Sequence, residues 1–181
     1  AEQDFAIGEA LTGKFVENFE TNLDVQEFAV AKQSSTYKDR KAINAIDNDE
    51  DSFSQTKLQK NAWLQVELPI AVEINKIRIF NRKGSNNVKK RLVPFRIIVY
   101  NTLGSVVGTK DYKNIQNVYK WDNVNLVGRL VRIQLLKEDY LHVRNIQVFG
   151  VKSNTCKNYN SLKTELSTMK NKGGNFFGKN I

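Results

Sequence analysis

"GRLVRIQLLKEDYLHVRNIQVFG", residues 128–150, decides the fold. Val131, Ile133 and Leu135 alternate with Arg132 and Gln134, and "LHVRNIQVFG" closes the segment in the same style. A period of two puts alternate side chains on opposite faces, so each run reads as a strand with one dry face and one wet face. His142 alternates with Leu141 and Val143 inside this segment and reads as a structural residue of a strand.

Working outward, the same pattern recurs. "WLQVEL" (63–68) alternates Leu64, Val66 and Leu68 with Gln65 and Glu67, and "FRIIVY" (95–100) places Phe95, Ile97 and Val99 on one face. "VEINKIRIF" (72–80) carries Val72 and Ile74, then Ile77 and Ile79, and this phase slip predicts a β-bulge. Turn-forming stretches, "NRKGSNN", "NTLG" and "DNVNLVG", separate the runs. Several short strands with no long helix between them predict an all-β antiparallel sandwich or barrel over residues 26–151. Trp63 and Trp121 are read as core. Residues 1–25 form an N-terminal arm. Residues 152–181 read as a basic tail, either disordered or carrying a short amphipathic helix through Leu162, Leu166 and Met169, with Phe176 and Phe177 as candidates to dock on a partner.

The chain has 181 residues and a net charge of +9, enough length for one domain with its own core. A single cysteine, Cys156, excludes an intrachain disulfide framework and a multi-cysteine zinc site. No run approaches the roughly 18 apolar residues of a membrane span. The first residue is Ala1 rather than Met, which leaves an upstream segment and the compartment open. Charge is unevenly spread: no acidic residue falls between Glu73 and Asp111, whereas Asp47, Asp49, Glu50 and Asp51 crowd into "AIDNDEDS". The first region favours anions and the second a cation. No P-loop, GxGxxG or HExxH is present, and the acidic residues gather in one turn instead of facing each other across a cleft. Catalysis is therefore not expected.

The order of "QSSTYKDRKAINAIDND", "NAWLQVEL", "INKIRIFNR", "KRLVPFRIIVYN" and the 128–150 segment resembles the discoidin family, the coagulation factor V/VIII C-type domains. The resemblance spans about residues 28–151 and is strongest to the F-type lectin branch. It implies a jelly-roll-like, galactose-binding-type sandwich whose ligand loops lie at one end, bringing "SFSQT", "NRKG" and "KKRL" to one rim. It further implies a non-enzymatic binder of carbohydrate or of an anionic surface, in an extracellular, cell-surface or virion setting. The alternative is a structural or attachment component of a large assembly, a virus particle or surface coat. Its partners would then be protein subunits, joined as homo- or hetero-oligomers through the two tails. Nucleic acid is disfavoured, because aromatic residues do not interleave the basic face.

By this resemblance Arg82 and Arg91 match the two sugar-gripping arginines of the lectins, and Gln55 stands where the lectins carry histidine. The loop between the arginines is two residues longer than the lectin pattern and lacks its aspartate. A structural Ca²⁺ site is also implied. Asn44, Asp47 and Asp49 match its side-chain ligands, Ser52 is a further match, and Asn145 replaces an expected glutamate.

Overall fold

The computed structural model describes residues 29–152. The predicted arm (1–25), Cys156, the tail helix and Phe176–Phe177 lie outside the described residues. In chain order the strands are β1 (Val30–Gln33), β2 (Ser54–Gln55), β3 (Gln59–Lys60), β4 (Trp63–Phe80), β5 (Phe95–Tyr100) and β6 (Val106–Tyr112). They continue with β7 (Val118–Trp121), β8 (Leu126–Leu135), β9 (Glu138–Asp139), β10 (His142–Val143) and β11 (Asn145–Lys152). Among the described residues, helical structure is confined to short turns at Ala42–Ala45, Asn86–Lys89 and Lys90–Leu92. No helix among the described residues is long and apolar enough to cross a membrane.

One long strand builds both layers. The first part of β4, Trp63 to Glu67, pairs antiparallel with β1 and with Leu130–Gln134 of β8, and β8 continues to β5 and β6. The second part, Val72 to Phe80, pairs with β11 and β7. Between them the β4–β8 register breaks from Glu67 to Val72, and the ladder bends. Gly128 sits at that bend. A Cβ there would lie 2.5 Å from Val99 of one layer and 3.2 Å from Ile74 of the other, so the layers close only over a bare backbone.

The layers meet over an aromatic cluster. Phe95, paired with Leu135 in the first layer, packs edge-on against Tyr119, paired with Ile79 in the second, with ring centroids 4.8 Å apart. Tyr112 stacks on Phe95 and donates its hydroxyl to the Lys120 carbonyl at 2.7 Å; burial pushes its pKa up to about 12. Leu64, Val66, Ile97, Val99, Val131 and Ile133 face Ile74, Ile77, Ile146 and Val148 with no exposed surface. Full burial of each such side chain contributes about 1.5–3 kcal/mol. The alternation in the sequence thus becomes the dry interior of a two-layer antiparallel sandwich.

The predicted phase slip is real. In the β4–β11 register Lys76 opposes Phe149 and Ile74 opposes Gly150, leaving Asn75 bulged. Trp63 is a correction. Leu64 and Val66 take the core face, so Trp63 lies on the outer face, partly exposed, with the Arg132 guanidinium 4.8 Å from its ring centre. Trp121 is half-buried against the edge of the core. His142 is fully buried, and so are Leu141 and Val143 on either side of it, so both faces of this short strand are dry.

Register also separates two poles. Val30 opposes Glu67 and Lys152 opposes Val72, so both ends of the described body lie beside the bend. The opposite ends of β4, at Trp63 and Phe80, lead into the loops that carry the candidate site.

Candidate functional site

The loop of residues 81–92 leaves β4 in one layer and enters β5 in the other, so it is a layer crossover and not a hairpin tip. Asn81, 3% exposed, fixes its start. Its side-chain amide donates to the carbonyls of Lys89 (3.0 Å) and Gln116 (3.1 Å), and its Oδ1 accepts from the Arg82 amide at 2.9 Å. A helical turn at Asn86–Lys89 takes up the extra residues, and fully buried Leu92 anchors the exit. Arg82 and Arg91 are thereby held at the two feet of one loop.

The remaining walls come from three other segments. Gln55 of β2 directly opposes His142 of β10. The Gln55 backbone accepts from the Tyr37 amide (2.9 Å) and donates to the Arg40 carbonyl (3.1 Å), which ties Arg40 to the same place. Gln33 supports it by donating its side-chain amide to the same Arg40 carbonyl at 2.9 Å. Guanidinium carbons of Arg82 and Arg40 lie 4.2 Å and 4.3 Å from the centre of the Phe53 ring. Arg91 lies 5.3 Å from the Tyr140 ring, which packs edge-on against Tyr37.

The charges of these groups reach one another. Burial lowers the Arg82 pKa, and the like charges of Arg40 and Arg91 lower it further. His142 is pushed down to about 4, first by burial and then by Arg82 and Arg91, with Asp139 opposing. Neither His142 ring nitrogen has a hydrogen-bond partner; the ring approaches the Val88 carbonyl without reaching hydrogen-bond geometry. Among the described residues, Arg82 and Arg91 have no carboxylate within 4 Å, and Arg40 has only exposed Asp39 at 3.8 Å.

The structure therefore brings Gln55, Arg82 and Arg91 to one rim. It adds Arg40, Phe53, Tyr140 and His142, which the sequence reading did not assign to it. Phe53 stands two residues from Gln55 in "SFSQT", and that proximity was the available signal. Nothing in "YKDRK" marks Arg40 as convergent with a loop 40 residues away.

The acidic turn lies next to this rim. Lys83 reaches Asp51 (3.1 Å) and Glu50 (3.6 Å), and Arg144 lies 3.9 Å from Glu50. Four oxygens crowd around the Ser52 hydroxyl: Asp47 Oδ2 (2.7 Å) and Oδ1 (2.9 Å), the Asn44 carbonyl (3.0 Å) and the Asp49 carbonyl (3.3 Å). The Asp49 carboxylate accepts from the Asp51 amide, and the Asn44 amide donates to the Phe53 carbonyl. Asn145 follows Arg144 at the start of β11, and its buried Oδ1 has no hydrogen-bond partner. No group of three or more His, Cys, Asp and Glu side chains gathers for a metal among the described residues, so the nest is built mainly from neutral oxygens.

Known proteins now complete the picture. Residues 44–133 match the F5/F8 type C model described as a NedA-like, galactose-binding domain. The described body is a discoidin-type, F5/F8 type C domain. Among solved structures, this domain is similar to a fucose-binding module of Streptococcus pneumoniae, with 27% identity and a TM-score of 0.63 over 68% of this chain and 94% of that one. It is equally similar to the lectin domain of lectinolysin complexed with Lewis B antigen, with 26% identity and a TM-score of 0.63 over 68% and 92% of the two chains. A serum F-lectin of striped bass, 22% identical with a TM-score of 0.58 over 68% of this chain and 45% of that one, shares the fold. The comparison with curated proteins finds no match to the chain.

Proposed function

We propose that this discoidin-type domain is a non-enzymatic carbohydrate-recognition module whose site is the rim formed by Gln55, Arg82 and Arg91. The observation that carries the reading is the convergence of two arginines without carboxylate partners and an inter-strand glutamine on one end of the sandwich. Guanidinium forks donate several hydrogen bonds in a fixed plane, which suits neighbouring hydroxyls and anionic oxygens alike. The faces of Phe53 and Tyr140 hold those planes, which reduces the entropy lost when a ligand orders them. The Gln55 amide makes no hydrogen bond among the described residues and offers both a donor and an acceptor. Solved neighbours that bind fucose or Lewis B support a glycan as the partner. The assembly alternative draws on tails outside the described residues, and no structural observation favours it.

The acidic turn adds a structural Ca²⁺ to the proposal. A hydroxyl has one proton and satisfies one acceptor, yet Ser52 faces four. Replacing that proton with a hard cation would satisfy all of them, and Ca²⁺ takes six to eight oxygens of this kind. Asp47, the carbonyls of Asn44 and Asp49, and Ser52 fit as its holders, with the orphaned Asn145 Oδ1 as a further candidate. One carboxylate among neutral oxygens corresponds to weak affinity.

A glycan array at physiological salt tests the recognition reading. A defined sugar should bind wild type and be lost on Arg82→Ala, with thermal unfolding unchanged. Silence across a broad array would overturn it.

A further inference from the structure

We infer that the rim is selective for glycans carrying an anionic substituent, a carboxylate or a sulfate, and that Arg40 joins Arg82 and Arg91 in holding that group. This rests on the recognition reading above and specifies its ligand class. Charge accounting carries it. On the flanks of the body several cations meet acidic partners: Arg96 with Asp111, Arg78 with Asp122, Lys32 with Glu67, Lys137 with Asp139, and Lys83 with Glu50 and Asp51. At the rim the like charges of Arg40 and Arg91 repel Arg82. Among the described residues these three meet within 4 Å only exposed Asp39 as counter-charge, 3.8 Å from Arg40. The acidic turn alongside pairs with Lys83 and Arg144 instead. A neutral sugar would leave that repulsion in place. An anionic one removes it, and charge-assisted bonds to guanidinium are roughly twice as strong as neutral ones.

Two further observations point the same way. His142 sits beneath the arginines, fully buried and with no hydrogen bond at either nitrogen, and the acidic group that acts on it, Asp139, is already paired with Lys137 at 3.0 Å. Gln55, opposite it, is uncharged and can donate to an oxyanion without adding repulsion. Arg40 and Arg82 both rest on the face of Phe53, so their planes are held before any ligand arrives. This is a compact cluster on one rim and not a track of the kind that follows a nucleic-acid backbone.

The test measures the full chain against matched pairs: sialyllactose with lactose, and galactose-6-sulfate with galactose, by calorimetry at physiological salt. The charged member of at least one pair should bind about tenfold tighter or better. Arg40→Gln should weaken that binding by about tenfold, whereas Arg96→Gln, on the flank of the sandwich, should leave it unchanged. Circular dichroism melting checks that both variants fold. Equal affinity for charged and neutral members overturns the selectivity and leaves a neutral-sugar lectin. Absence of binding to these pairs and across the glycan array removes both readings. Equal competition by inorganic phosphate or heparin shows adsorption by charge alone and also overturns the inference.

Discussion

Arginines on the flank of the sandwich and arginines on its rim live under opposite conditions. On the flank, Arg96 makes two bonds to Asp111 at 2.6 Å and 2.8 Å, and Arg132 makes two to Gln65 at 3.0 Å and 2.6 Å. Arg78 bonds to Asp122 and donates to the carbonyls of Ile77 (3.0 Å) and Trp121 (3.4 Å). At the rim, Arg82 and Arg91 lie against aromatic faces and meet no carboxylate among the described residues. Flank arginines have acceptors supplied by the fold, so their work is structural. Arg82 and Arg91 are held against aromatic faces with no carboxylate beside them, the arrangement on which the proposed recognition rests.

The sharpest way to probe this difference is through the rim's floor. The folded-state pKa of His142, about 4, lies below the ordinary value of 6.5, so the folded protein binds fewer protons than the unfolded chain between these values. Stability from the neutral ring is full above pH 6.5 and is lost as pH falls toward 4. A shift of this size corresponds to about 3 kcal/mol. In denaturant titrations the stability difference between wild type and His142→Leu should therefore shift against wild type by about 3 kcal/mol as pH falls from 6.5 toward 4. Parallel curves would mean that the ring is not held neutral by the rim.

A direct contrast comes next. Arg78→Ala should destabilise by about 1–2 kcal/mol, because it strands buried carbonyls and an aspartate. Arg82→Gln should raise the unfolding midpoint slightly by removing like-charge repulsion. A loss at Arg82 as large as that at Arg78 would make the rim structural and erase the comparison. The smallest effect is expected beside the rim. Ca²⁺ at tenfold excess over its dissociation constant should add about 1.4 kcal/mol in calorimetric unfolding, and Asp47→Asn should abolish the shift. An unchanged wild-type midpoint at millimolar Ca²⁺ would rule out a useful site.

Much of this was legible in the sequence because local physics governs it. Alternation at Leu64–Leu68, Phe95–Val99 and Val131–Leu135 reports which face is dry, and the Asn75 bulge shows as a break in phase. The same alternation also set Trp63 opposite Leu64 and Val66, and reading its size ahead of its phase gave the wrong face. Layer crossing was not legible. Nothing local tells "WLQVELPIAVEINKIRIF" to serve two layers, since the bend depends on Gly128 of a strand some 60 residues away. For the site, Gln55, Arg82 and Arg91 could be named by likeness to a family, but Arg40 and Asn81 enter only through long-range backbone bonds. His142 reads as core from sequence; its place beneath the arginines emerges from the pairing of β2 with β10.

The placement of both body ends beside the bend has a mechanical consequence. Any tether joined before Val30 or after Lys152 attaches at the pole away from the guanidinium cluster. Several copies strung on one carrier would all present their rims on the side away from it. Shallow grips at single rims would then add up through effective concentration, so avidity in place of intrinsic strength could set how firmly such an array holds.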